Sequence, residues 1–106
     1  MLSAEDRKIA TEFKHRLMAV LPVLDLCVFG SRARGEAGPD SDLDVFVEVE
    51  TCTPDQRQAI NELAWEVGFE LDRVISPLVA TPDHLERGPL GASPLILQIE
   101  REGIKV

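Results

Sequence analysis

Two apolar segments with strand character lie close together in this chain and limit what it can fold into. VLDLCVF (Val23–Phe29) is nearly all apolar, the pattern of a central strand. DLDVFVEV (Asp42–Val49) alternates instead, with Leu43, Val45, Val47 and Val49 on one face and Asp42, Asp44, Phe46 and Glu48 on the other. Both need helices to cover their apolar faces. With the helices read below, the chain becomes a small α/β (α+β) domain, a mixed sheet with helices packed on it.

The helices mark their own starts. Thr53-Pro54, Thr81-Pro82 and Ser93-Pro94 each place a hydroxyl N-cap before a proline, and proline at the first helical position loses only an N–H that would be unpaired anyway. Gln56 completes a capping box with Thr53. Ile60, Leu63, Ala64 and Val67 then form one apolar stripe, and Gly68 is expected to end that helix. The last helix is expected to turn Leu95, Ile96 and Ile99 inward and to stop at Gly103. A first helix begins near Ser3, buries Leu2, Ile9, Phe13, Leu17 and Val20, and closes at Pro22. A third strand is expected over ELDRVIS (Glu70–Ser76), and the terminal IKV is a candidate edge strand. At 106 residues, one domain over 1–106 is the expectation.

The chemistry concentrates in FGSRARGEAGPDSDLDVFV, between the two apolar segments. Gly30 lets the backbone approach a ligand with no side chain in the way. Ser31 offers a hydroxyl at the start of a short helix, whose free N–H groups attract anions. Arg32 and Arg34 add positive charge, so Gly30, Ser31, Arg32 and Arg34 together read as a triphosphate cradle. Asp42 and Asp44 stand two apart in a strand and so share a face. Two like charges side by side repel, and hard divalent cations such as Mg²⁺, which take oxygen ligands, cancel that repulsion. Asp72 is the candidate third carboxylate, with Glu70 as the fallback.

Two other motifs are excluded. Gly30 and Gly35 have the spacing of a P-loop, but Glu36 stands where lysine is required. Asp40, Asp42 and Asp44 imitate the start of a calcium loop, yet Val45 replaces its glycine and Thr51 its final glutamate.

Composition narrows the class further. The net charge is −8, against a main role in holding long nucleic acid through its phosphates. Cys27 and Cys52 form no CxxC, and Cys27 within an apolar run reads as a small core hydrophobe. No run of about 18 apolar residues suggests a membrane span, and the charged N-terminus lacks the apolar centre of a signal peptide. A cytoplasmic location is the expectation.

Gly30-Ser31, ten intervening residues and then Asp42-x-Asp44, set between two apolar strands, resembles the signature of the minimal nucleotidyltransferases of the DNA polymerase beta superfamily. The ending SPLILQIEREGIKV resembles the tail of these small proteins as well. The resemblance implies a small nucleotidyltransferase fold, ATP as substrate and two Mg²⁺ ions held by Asp42, Asp44 and a third acidic residue on a later strand, with Asp72 assigned to that place. It also implies that the Gly30-Ser31 turn holds the triphosphate. Larger relatives append an acceptor-binding domain; here 34 residues follow Asp72 (106 − 72), so the acceptor is expected on a separate chain. Minimal members are typically antitoxins paired with a HEPN-type toxin, and some transfer AMP to a tyrosine of it. This chain has no tyrosine, so self-modification on tyrosine is excluded. Two other readings stay open: an antitoxin that acts by contact alone, and one subunit of a two-chain enzyme that modifies a small molecule.

Overall fold

The computed structural model describes residues 2–38, 40–88 and 93–106. The chain runs α1 (Ala4–Met18), β1 (Val23–Phe29), α2 (Gly30–Arg34), β2 (Leu43–Val49), α3 (Pro54–Leu71), β3 (Ile75–Ala80), α4 (Pro82–Arg87), α5 (Pro94–Glu102) and β4 (Ile104–Lys105). The N-cap signals hold at α1, α3, α4 and α5: Ser3, Thr53, Thr81 and Ser93 each accept a hydrogen bond from an amide of the first turn. At α3 the capping box is complete, with Thr53 N–H donating to Gln56 Oε1 at 2.9 Å and Gln56 N–H to Thr53 Oγ1 at 3.1 Å. Each such cap contributes about 1 kcal/mol.

The four strands form one mixed sheet in the order β3-β2-β1-β4. β1 pairs antiparallel with β2 and with β4, whereas β2 and β3 run parallel, joined by α3 as the crossover. α1 and α3 lie together on one face. Under them Leu43, Val45, Val47 and Val49 are fully buried with Ile9, Phe13, Leu17, Ile60, Ala64 and Val67. Burying each large side chain of that set stabilises the fold by about 1.5–3 kcal/mol. On the opposite face Cys27, Phe29 and Phe46 make a smaller core with Ile96 and Ile99 of α5. Burial pushes the Cys27 thiol up to about 11, with the Asp25 carboxylate adding to the effect, so this cysteine is an inert core residue.

Several boundaries differ from the expectation, each for a local reason. The third strand is Ile75–Ala80, not Glu70–Ser76. Its ISPLVA sequence contains Pro77, which reads as a strand breaker. β3 is an edge strand, however, where a proline is tolerated because its missing N–H has no ladder partner to disappoint. α3 does not stop at Gly68 but continues to Leu71. Gly68 is instead a packing glycine, since a Cβ there would strike the carbonyl oxygen of Arg73. Val20 and Leu95 are exposed rather than inward-facing. Leu90–Val106 is apolar enough in sequence to be a candidate contact surface, and residues 90–92 of it lie outside the described residues.

Candidate active site

The site forms where β1 ends and β2 begins. In the antiparallel register Phe29 faces Asp44, which brings the turn after β1 against the first residues of β2. Gly30 opens α2 with φ +76°, a conformation that favours glycine. A Cβ on Gly30 would lie 2.5 Å from Asp44 Oδ2, so a side chain here would displace the carboxylate. Gly30 therefore serves both the backbone turn and the room that Asp44 occupies. Gly35, also at positive φ, ends α2 and sends the chain into the loop toward Asp42.

Asp44 and Asp42 act on one another. Burial raises the Asp44 carboxyl above the ordinary aspartate range, repulsion from Asp42 raises it further, and Arg34 draws it partly back. Asp42 is exposed and accepts a hydrogen bond from Ser76 Oγ at 3.2 Å. Two acceptor-only carboxylates that repel one another suit a hard divalent cation. The room left by Gly30 is what lets the Asp44 carboxylate sit against the turn.

The two arginines separate into different roles. Arg34 sits at the rim, paired with Glu36 at 2.9 Å and Glu102 at 3.3 Å, and its field reaches Asp44. Arg32, expected in the triphosphate cradle, is instead buried among protein partners. Its Nη1 lies 3.4 Å from both carboxylate oxygens of Asp6. Its Nε and Nη2 donate to the Ser41 carbonyl at 3.1 and 2.8 Å, and Nη2 also reaches the Gly38 carbonyl at 3.3 Å. Arg32 thus ties the loop that delivers Asp42 to the N-terminal turn of α1. Ser31 is half-buried in the first turn of α2.

Asp72 does not lie on a strand. It caps α3 in a left-handed conformation (φ 57°), three residues before β3 begins, and is exposed. Glu70 is on α3, where it pairs with Arg16 at 2.6 Å. Among the described residues no group of three His, Cys, Asp or Glu side chains is placed to hold a metal ion. The structure therefore brings Asp42 and Asp44 together and leaves Asp72 apart from them. The third residue it does bring is Ser76, which stands opposite Asp44 in the β2/β3 register. Ser76 closes the expected strand Glu70–Ser76, but its pairing with Asp44 depends on a register that the sequence does not give. Asp6 and Arg73 were also missed: Arg73 Nη1 donates to Asp6 Oδ1 at 2.7 Å, which joins the α3–β3 turn to the same buried carboxylate. No sequence pattern marks so remote a pair.

An open groove of about 700 Å³ lies on the α3 side, lined by Trp65, Phe69, Asp72, Arg73 and Pro77 among others. Trp65 and Phe69 stack with centroids 5.3 Å apart and remain 69% and 75% exposed. On α5 the exposed apolar residues are Leu95 and Leu97, at 40% and 49%. No helix among the described residues is long and apolar enough to cross a membrane.

The fold has solved counterparts. A protein provisionally named a minimal nucleotidyltransferase is 26% identical, with a TM-score of 0.61 and 95% of each chain covered. The crystal structure of a toxin–antitoxin with AMP-PNP matches at 21% identity and a TM-score of 0.60, over 89% of this chain and 69% of that one. A variant of the toxin–antitoxin MntA-HpeT matches with the same identity and TM-score, over 91% and 69%. No curated protein matches the sequence. The profile of the nucleotidyltransferase domain matches residues 6–106, nearly the whole chain. A small mixed sheet, a Gly-Ser turn and a same-face aspartate pair are thus joined to a sequence match over almost every residue, and the chain belongs to the nucleotidyltransferase domain family.

Proposed function

We propose that this chain transfers AMP from ATP to a hydroxyl of a separate protein, a HEPN-type toxin, and so acts as its antitoxin. The observation that carries the reading is the Asp42–Asp44 pair beside Gly30, in a chain of the nucleotidyltransferase domain family. Support for the nucleotide and the partner comes from its structural likeness to a toxin–antitoxin bearing AMP-PNP. Asp42 and Asp44 would hold Mg²⁺, and Gly30 and Ser31 would seat the triphosphate. When bound, the metal would polarise the reacting phosphoryl group and neutralise charge on the departing pyrophosphate. Arg34 adds positive charge at the rim, and Arg32 keeps the Asp42 loop in register.

The acceptor is a protein with a basic face. This chain carries −8 overall, and Glu62 and Glu66 flank the exposed Trp65–Phe69 pair on α3. That pair is the surface such a partner would cover. Trp65 is the sole tryptophan, so its emission should shift to the blue when the partner binds, and Trp65→Ala should weaken binding roughly tenfold or more, as for other aromatic anchors. Unchanged emission in a complex seen by other means would place the interface elsewhere. The transfer itself is tested by intact mass. With ATP and Mg²⁺ the co-purified partner should gain one or more AMP units. Mass gained only by a small hydroxyl compound would make the chain one subunit of a small-molecule enzyme instead.

A further inference from the structure

We propose that the site holds a single divalent cation, on Asp42 and Asp44, and that Ser76 is a positioning residue that fixes Asp42 where a third carboxylate would otherwise complete a two-metal site. The inference rests on the nucleotidyltransferase reading and narrows it.

Three observations carry it. The parallel pairing of β2 with β3 sets Ser76 opposite Asp44, so both side chains rise from the same face on strands about 4.8 Å apart. A carboxylate at Ser76 would stand within reach of an ion held by Asp42 and Asp44, so this is the place for a third acidic ligand. A serine hydroxyl occupies it, and it donates to Asp42 Oδ2 at 3.2 Å. Among the described residues, moreover, no third acidic side chain joins the pair, and Asp72 lies off the sheet at the C-cap of α3.

Charge decides between one ion and two. Two divalent cations in such a site stand about 3.5–4 Å apart, and their mutual repulsion must be screened by bridging anionic ligands. Two carboxylates carry a charge of −2, enough to neutralise one such ion, and the triphosphate, although anionic, supplies no further protein carboxylate to bridge a second ion to the first. A neutral hydroxyl adds no charge, but it restrains the Asp42 carboxylate through one oxygen, and the other could then ligate a metal ion. Ser76 therefore acts through Asp42 and does not replace an acidic ligand.

Native mass spectrometry of the full chain with a non-hydrolysable ATP analogue and Mn²⁺ counts ions per complex. Wild type should hold one and Ser76→Asp two. Two ions in wild type would overturn the single-ion proposal while leaving the nucleotidyltransferase reading intact. Binding of the analogue with no Mn²⁺ dependence would overturn both. An unaltered count in a folded Ser76→Asp chain would show that position 76 does not face the metal. Should that variant not fold, Ser76→Ala gives an independent reading by Mn²⁺ titration with electron paramagnetic resonance. Loss of one hydrogen bond to Asp42 should weaken Mn²⁺ binding roughly threefold to tenfold, at an unchanged metal-free melting temperature. Affinity equal to wild type would remove Ser76 from its positioning role.

Discussion

A chain carrying Asp42→Asn and Asp44→Asn is expected to fold, to bind its partner, and to transfer nothing measurable. On the proposed chemistry, losing the metal would remove the principal electrostatic stabilisation of the transferred phosphoryl group, and loss of even one such preorganised contact commonly costs about 10²–10³-fold in rate. The fold should not suffer. Asp44 carries a carboxyl raised by burial and by its neighbour, so replacing the pair with neutral amides relieves repulsion. The metal-free melting temperature should therefore match or exceed that of wild type. Nucleotide with Mg²⁺ at a hundredfold over its Kd should stabilise wild type by about 2.7 kcal/mol. For a domain of this size that is an increase in Tm of roughly 10–20 °C. The double variant should lose the Mg²⁺-dependent part of that shift. A full shift in the variant would refute the metal assignment. A variant that neutralises the partner as well as wild type, with no AMP added, would establish an antitoxin that works by contact alone.

The sequence revealed those features that depend on neighbouring residues. The Thr53/Gln56 box, the Ser/Thr-Pro starts and the alternation of Leu43, Val45, Val47 and Val49 are local signals, and the structure repeats them because capping and strand periodicity are satisfied within a few residues. The aspartate pair was legible for the same reason. What failed depended on residues far apart. Pro77 looks like the end of a strand until β3 is known to be an edge. Gly68 looks like a helix stop until the Arg73 carbonyl is found against it. Ser76 acquires meaning only from its parallel register with Asp44, across the whole α3 crossover. Asp72 looked like a strand carboxylate because ELDRVIS has strand composition, but α3 absorbs the start of that segment and Asp72 takes the left-handed cap that aspartate tolerates better than most residues.

Arg32→Ala is expected to destabilise the fold by roughly 3 kcal/mol, the low end of the usual cost for removing one partner of a buried ion pair. The low end applies because Asp6, buried with it, keeps Arg73 at 2.7 Å and so is not left unpaired. The carbonyls of Ser41 and Gly38, however, lose the guanidinium that joins them to α1. Against a typical total stability of about 5–15 kcal/mol the loss is large, and it should lower Tm by roughly 12–24 °C. Arg32→Lys should recover part of it. A lysine keeps the charge near Asp6 but lacks the planar fork that reaches Asp6 and both carbonyls together. Measuring nucleotide affinity at a temperature where both proteins are folded separates the two roles this residue could have. As a strut of the Asp42 loop, Arg32 should lose stability first, with the Mg²⁺-dependent part of binding weakened because Asp42 is no longer held. If Arg32→Ala melts like wild type but binds ATP poorly even without Mg²⁺, the guanidinium leaves Asp6 to meet the triphosphate, and the cradle includes Arg32 after all.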